Sequence, residues 1–244
     1  MIIDAKGIYY RQLNEMIKEA VEAGETDIVL QNVNGQRYIG TNLGRPVNIT
    51  IHGVPGNDLG AFMDGPTIVV HGNGQDAIGN TMNSGKIVVH GHAGDVLGYG
   101  MRGGKLFIRG NVGYRVGIHM KEYKKQVPVL IVGGTAGAFL GEYMAGGCLI
   151  VLGLNTREGE PLAGDYLGTG MHGGVIYLRG QVDQERLGKE VAVFDVDEDD
   201  RKLLEKHLSE YCSDLGLSLD EVMSRPFVKL LPVSSRPYGR LYVY

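Results

Sequence analysis

The chain has 244 residues, enough for one large domain, and 24 Lys and Arg against 28 Asp and Glu give a net charge of −4. This balance makes nucleic acid a poor candidate ligand, because no excess of positive charge is available to hold a polyanion. Hydrophobic residues make up 43% and charged residues 21%, which is typical of a folded globular protein. With two cysteines, Cys148 and Cys212, the chain alone can form neither a disulfide framework, a thiolate zinc site nor an iron–sulfur cluster.

The N-terminal segment predicts a helix and not a targeting sequence. Residues 1–12 lack a long apolar stretch, and no window of the chain approaches the roughly 18 apolar residues of a membrane span, so we expect a cytoplasmic protein. Residues 9–23 have the helical period of apolar residues, ending at Gly24. We expect residues 1–27 to form a helical cap on the domain that begins at residue 28.

Glycine is the compositional outlier, and it marks a repeat. The chain has 39 glycines, of which 31 lie between Gly53 and Gly180. Blocks of 19 residues start at Ile49, Ile68, Ile87, Leu106, Leu130, Leu149 and Ile176, with two insertions. Each block carries an apolar residue followed by glycine, at Gly60, Gly79, Gly98, Gly117, Gly141 and Gly168. Three residues later stands a methionine, at Met63, Met82, Met101, Met120, Met144 and Met171.

Each block opens with a short apolar strand, such as IVVHG or LFIRG, which cannot bury its own face. Stacked copies can build a continuous core, so residues 28–182 predict a mainly β fold, a single-stranded right-handed parallel β-helix of about seven coils. A left-handed hexapeptide helix is disfavoured because 19 is not divisible by six. Methionine is expected to fill the interior.

The glycine repeat stops after Gly180, and residues 183–244 predict a helical cap and an extended tail. An acidic first turn begins a helix over 197–212. Ser218 has the pattern of a helix N-cap for a short third helix that Pro226 ends. The insertions 119–128 and 154–163 and this C-terminal region are where specificity is expected.

Three histidines and an arginine occupy one register of successive coils: His52, His71, His90 and Arg109, with Arg179 further on. Three histidines suggest a metal site, but rings stacked at coil spacing do not converge easily on one ion. We therefore predict no metal here and interpret His52, His71, His90 and Arg109 as a partner-binding surface.

Carboxylates share a second register, with Asp76 and Asp95 in adjacent coils and Asp165 in a later one. Two close carboxylates would suit sugar cleavage, as in a carbohydrate-active β-helix enzyme. They also stand between glycines, where turn geometry favours Asp, so a turn role is the preferred interpretation.

Two further motifs favour structural interpretations. GxGxxG occurs at 98–103 and 168–173, but a strand and not a helix follows each, which argues against a dinucleotide site. No histidine lies at a spacing that indicates a catalytic pair with Cys148, so this cysteine is interpreted as a small buried residue.

The quoted repeats resemble a known family. The runs GNDLGAF (56–62), QDAIGNTMNSGKIVVHG (75–91), GDVLGYGMRGGKLFIRGNVG (94–113) and GAFLGEYMAGGCLIVLG (137–153) resemble the C-terminal GXGXG domain of the large subunit of glutamate synthase, as does NGQRYIGTNL (34–43). The resemblance covers residues 34–180 and implies a right-handed β-helix. The same module occurs in one of the subunits of formylmethanofuran dehydrogenase.

In glutamate synthase the module accompanies an amidotransferase domain with an N-terminal cysteine nucleophile and an FMN and iron–sulfur synthase domain, while this chain begins Met1-Ile2. No catalytic residue and no cofactor site carries over. The resemblance implies a non-catalytic scaffold of a split glutamate synthase that docks a glutamine amidotransferase subunit and a synthase subunit holding FMN and an iron–sulfur cluster. A formylmethanofuran dehydrogenase subunit and a stand-alone carbohydrate-active enzyme stay open as alternatives, and so does a homo-oligomer.

Overall fold

The computed structural model describes residues 1–157 and 159–233. Its strands are β1 (Ile2–Asp4), β2 (Asp27–Asn34), β3 (Asn48–Val54), β4 (Asp64–His71), β5 (Ser84–Val89), β6 (Lys105–Ile108), β7 (Val129–Val132), β8 (Ala145–Val151), β9 (Gly173–Arg179), β10 (Val191–Asp195) and β11 (Phe227–Pro232). Its helices are α1 (Tyr10–Glu22), α2 (Glu198–Leu215) and α3 (Leu219–Met223). The three predicted helices are all present.

Strands β1 to β9 pair in parallel and in chain order, each strand with the next. Ile49 pairs with Ile68, and Ile68 with Ile87, so the 19-residue period of the sequence is the register of the sheet. The chain is therefore a parallel β-solenoid, as predicted. Its repeats form about six turns, slightly fewer than the seven expected.

The interior of the solenoid is filled by stacked columns of identical or similar residues. All six methionines of the repeat are fully buried, as are the apolar residues that precede the repeat glycines. A Cβ added to Gly104 would collide with the methyl group of Met82, and one on Gly174 would collide with that of Met144. Each of these methionines thus packs against a glycine of a later coil, which explains why the interior accepts no larger residue there.

The glycine corner uses left-handed backbone at three positions in every coil, namely the repeat glycine and the residues two before and two after it. Positive φ values occur at the non-glycine residues Tyr38, Asp58, Ala77, Val96, Arg115, Phe139 and Tyr166, and at Asn42, Phe62, Thr81, His119 and Tyr143. At most of these residues the N–H group donates to the following coil, as from Asp58 to the carbonyl of Asp76 at 3.0 Å. The repeat glycines donate to the preceding coil, as from Gly79 to Leu59 at 2.9 Å. Because the donors alternate in direction, the backbone of each corner is hydrogen-bonded to both neighbouring coils.

Both ends of the solenoid are protected. At the start, Leu13 and Ile17 of α1 are buried in the main core, so this helix covers the first coil as expected. At the other end, β11 pairs antiparallel with β9 and β10 pairs with β11, which removes the free edge of the last parallel strand. The predicted tail continues to residue 244, and residues 234–244 lie outside the described part of the chain.

Helix α2 lies across the outer face of the sheet. Near its start Asp200 accepts a hydrogen bond from Tyr177 of β9 at 2.6 Å, and near its end Asp214 binds Lys86 of β5 at 2.7 Å. It therefore runs back over strands β9 to β5. A second hydrophobic core lies beneath it, formed by Val88, Phe107, Val129, Ile131, Cys148, Ile150, Leu152, Tyr177, Leu204, Leu208, Tyr211, Cys212, Leu215 and Val222.

Candidate functional site

The predicted histidine column is a continuous stack on the outer face. The ring centroids of His52 and His71 are 5.1 Å apart and those of His71 and His90 are 4.8 Å apart, with interplanar angles of 17° and 29°. His52, His71 and Arg109 are exposed and His90 is half-buried. We call these four residues the histidine column. Burial, together with the charges of His71 and Arg109, lowers the pKa of His90.

The stacked geometry does not suit a metal ion. Rings that lie nearly parallel place their nitrogen atoms side by side, whereas a tetrahedral site needs ligands that converge on one point. Among residues 1–157 and 159–233, no three His, Cys, Asp or Glu side chains are arranged to hold a metal.

The same register changes character after Arg109. The next position is Gly133, where a Cβ would collide with the carbonyl of Arg109 and the hydroxyl of Tyr211. Then come Leu152, which is buried, and Arg179, whose Nε donates to the carbonyl of Val222 at 2.6 Å. The register is open on the first coils and covered by α2 and α3 on the last ones.

Asp76 and Asp95 hold turns. The Oδ1 of Asp76 accepts the N–H of Asp95 at 2.9 Å, and the Oδ1 of Asp95 accepts the N–H of Tyr114 at 2.8 Å. Cβ atoms on Gly94 and Gly113 would collide with these same oxygens, which explains the glycines. This arrangement agrees with the turn interpretation and leaves neither Oδ1 free for sugar cleavage. Asp165 instead accepts a hydrogen bond from Arg186 at 2.7 Å.

The remaining sequence motifs have structural roles. A strand, β6 or β9, follows each GxGxxG segment directly, so no helix N-terminus is available for a pyrophosphate. Cys148 is 2% exposed, and burial raises its pKa to about 12, so its thiol is not a nucleophile at neutral pH. Its interpretation as a small buried residue is confirmed.

A second exposed surface, which we call the aromatic corner, consists of Tyr99, Arg115, His119, Phe139, Tyr143 and Tyr166. The rings of His119 and Tyr143 stack with centroids 5.4 Å apart, and those of Phe139 and Tyr166 with centroids 4.9 Å apart. Tyr143 and Tyr166 are each about half exposed, at 46% and 56%.

The sequence interpretation missed the aromatic corner because its residues are spread over three registers. Five of them, Arg115, His119, Phe139, Tyr143 and Tyr166, have positive φ, a conformation that is costly for residues with a Cβ. A surface that combines exposed aromatic rings with backbone strain is a candidate interaction site. A comparison of equivalent positions could have revealed it, because these coils carry large residues where other coils carry Asp, Ala or Gly.

Within the described residues, no helix has the length and apolar character needed to cross a membrane.

The fold and these surfaces define the chain as a β-solenoid repeat protein with two exposed side-chain ladders. Residues 11–232 match the GXGXG motif family, which is most of the chain, and the protein therefore belongs to the GXGXG family. An uncharacterized protein of Methanocaldococcus jannaschii is 46% identical over 250 residues, covering 99% of this chain and 96% of that protein.

A solved structure has the same fold. It is the crystal structure of the formyltransferase/hydrolase complex FhcABCD from Methylorubrum extorquens with methylofuran, one chain of which superposes with a TM-score of 0.61. The match covers 90% of this chain and 85% of that one at 20% identity, which supports a shared fold.

Proposed function

We propose that the chain is a non-catalytic scaffold subunit of a multi-subunit enzyme complex. The observation that carries the proposal is the histidine column, a ladder of stacked, exposed side chains that stops where α2 begins to cover the sheet. The candidate catalytic groups offer little chemistry, since Asp76 and Asp95 are bound to backbone amides and Cys148 is buried.

A scaffold that joins two other chains needs two separate surfaces. The histidine column lies on the outer face of the sheet and the aromatic corner lies at the glycine turns, so they present different sides of the solenoid. We assign one partner to each. Imidazole and guanidinium groups suit an acidic partner surface, whereas exposed tyrosine and phenylalanine rings suit an apolar one.

Two complexes are candidates for the assembly. The likeness to a chain of a formyltransferase/hydrolase complex supports a comparable subunit, like the one that carries this module in formylmethanofuran dehydrogenase. The runs QDAIGNTM (75–82) and EYMAGGCLIVLG (142–153) support a split glutamate synthase, with an amidotransferase subunit and an FMN and iron–sulfur subunit as partners. Under either assignment the cofactors belong to the partner chains.

Affinity purification of the tagged full-length chain from the cells that produce it, followed by mass spectrometry of the eluate, tests the proposal. Formyl-transferring or molybdopterin subunits would support the first assembly. An amidotransferase and an FMN iron–sulfur protein, with glutamate formed from glutamine and 2-oxoglutarate, would support the second. Recovery of the chain alone at physiological salt would overturn the scaffold role.

Two substitutions that each introduce a carboxylate test which surface docks a partner. His71→Glu places a carboxylate in the middle of the histidine column, and we expect it to lower recovery of one partner at least tenfold. Lys202→Glu makes a comparable change on the exposed side of α2, where the Lys202 side chain is 66% exposed, and should leave recovery unchanged. Equal recovery with both variants would exclude the histidine column as a docking surface.

A further inference from the structure

A cavity of about 590 Å³ opens beneath the insertion that interrupts the repeat before β9. Its walls come from the insertion (156–157 and 159–163), the end of β9 with the turn after it (178–183), and the segment after α3 (225–226), together with Leu167 and Arg186. The floor is apolar, with Leu162 and Leu178 both almost fully buried. This volume lies within the range typical of small-molecule sites.

The charged groups around the cavity are mostly positive. Among the described residues, four arginines line it, Arg157, Arg179, Arg186 and Arg225, against two carboxylates, Glu160 and Asp183. Arg186 also pairs with Asp165 at 2.7 Å. The chain as a whole has a net charge of −4, so this concentration of guanidinium groups stands out from the rest of the molecule.

Both carboxylates are already engaged in local structure. Glu160 accepts the backbone N–H of Arg157 at 2.9 Å. Asp183 accepts the backbone N–H of Glu185 at 3.0 Å and lies 4.0 Å from the Nε of Arg186. Within residues 1–157 and 159–233, the side chains of Arg157 and Arg225 form no ion pair.

Arg179 shows how the site is built. It is 7% exposed, yet its guanidinium is held by neutral groups, with Nε donating to the carbonyl of Val222 at 2.6 Å and Nη2 to that of Glu221 at 2.9 Å. A guanidinium fixed in this way keeps its full positive charge in a place shielded from water. Burial and, secondarily, the positive charge of Arg225 lower the pKa of Arg179.

We propose that this cavity, the arginine cavity, binds a small organic anion that carries carboxylate or phosphate groups, with Arg225 and Arg157 as ligand-binding residues and Arg179 as a fixed positive charge in the cavity wall. Guanidinium groups bind both kinds of oxyanion through paired N–H donors. The apolar floor formed by Leu162 and Leu178 favours a ligand with a short carbon skeleton over a bare inorganic ion.

Isothermal titration calorimetry of the isolated full-length chain tests the site without any partner protein, so its result is independent of the proposed scaffold role. The probes are succinate, glycerol 3-phosphate and inorganic phosphate at constant ionic strength, with glycerol as a neutral control. We expect saturable binding of at least one organic anion, weaker binding of inorganic phosphate, and none of glycerol.

Two variants distinguish binding in the arginine cavity from a general effect of the positive charge on the protein surface. Arg225→Gln removes a cavity arginine that makes no described hydrogen bond, and we expect it to weaken binding at least tenfold. Arg201→Gln removes an exposed arginine of α2 and should leave binding unchanged. Because Arg179 also holds α3, its replacement is not used. No saturable heat with either organic anion at millimolar concentration, or equal affinity in both variants, would overturn the proposal.

Discussion

The outer face of the sheet has two halves built from the same repeat. On β3 and β4 the outward side chains are polar or half-exposed, as at Thr50 and His71, and only Val69 reaches the edge of the core beneath α2 within the described residues. On β6 to β9 the same registers carry apolar residues such as Phe107 and Ile150, buried under α2. The outward side chains of each strand therefore decide whether its outer face is covered by α2 or stays open as a surface. Substitutions in the two halves should have different effects.

The largest expected effect is loss of the anchor of α2. Tyr211 is fully buried, packs edge-on against Phe107 with centroids 5.6 Å apart, and donates a hydrogen bond to the carbonyl of Ile108 at 3.1 Å. Tyr211→Ala should lower the free energy of unfolding by about 3 to 5 kcal/mol. His71→Ala in the open half should change it by less than about 0.5 kcal/mol. Urea denaturation of both variants makes the comparison, and similar losses would show that the halves are energetically alike.

A smaller effect is expected where the register passes from the open half to the covered one. A Cβ on Gly133 would collide with the Tyr211 hydroxyl and the Arg109 carbonyl, so Gly133→Ala must displace helix or strand. We expect a loss of about 1 to 3 kcal/mol. Gly44→Ala is the matched control, because nothing lies within 4 Å of its added Cβ. Thermal unfolding measures both, and an unchanged midpoint for Gly133→Ala would mean that α2 is not seated this closely.

The covered half should also be sensitive to acid. Burial lowers the pKa of His207 on α2 below its ordinary 6.5, assisted by the charges of Lys206 and Lys105 against the opposing effect of Glu210. The unfolded chain therefore takes up this proton first as the pH falls below about 6.5, so stability falls through that range and levels off below the pKa of the folded state.

The variant His207→Gln isolates this contribution. The free energy of unfolding, measured by urea denaturation from pH 7.5 to pH 5.0, should fall less in the variant than in the parent chain, by about 1.4 kcal/mol for each unit of pKa shift. Parallel curves for the two chains would assign the acid sensitivity to other groups.

The smallest effect concerns the ion pairs that hold the end of α2 to the sheet. Lys86 lies 2.7 Å from Asp214 and 3.4 Å from Glu210, and Lys105 also binds Glu210. These side chains are partly exposed, so Lys86→Met should cost no more than about 1 kcal/mol. Its effect and that of Asp214→Asn should be less than additive in a double-mutant cycle, and additivity would mean that the pair contributes nothing.

Much of the fold could be predicted because the repeat is local in sequence. The 19-residue spacing of Ile49, Ile68 and Ile87 is itself the strand register, and the methionine spacing is itself the interior column. The apolar spacing of residues 9–23 likewise indicated the helix that covers the first coil. In each case the pattern that predicts the structure recurs within one continuous stretch of the sequence.

The covering of the outer face could not be predicted in the same way, because it joins α2 to strands about 100 residues earlier, as from Tyr211 to Ile108. A partial signal exists. The outward position reads Thr50 and Val69 in the early strands but Phe107, Ile131 and Tyr177 in the later ones, and strands that are apolar on both faces are expected to be covered on both. The sequence indicated that the insertion 154–163 and the C-terminal region carry specificity, and both line the arginine cavity. The cavity itself could not be predicted, because its arginines come from four separate segments.

The shared register of the coils makes the solenoid a molecular ruler. Because Lys105 pairs with Val129 and Val129 with Cys148, the block from 129 to 147 begins and ends at equivalent points of the coil. Omitting such a block would rejoin the strands in register and bring the histidine column and the arginine cavity closer by one strand spacing, about 4.8 Å. The number of repeats thus sets the distance between whatever binds at the two ends.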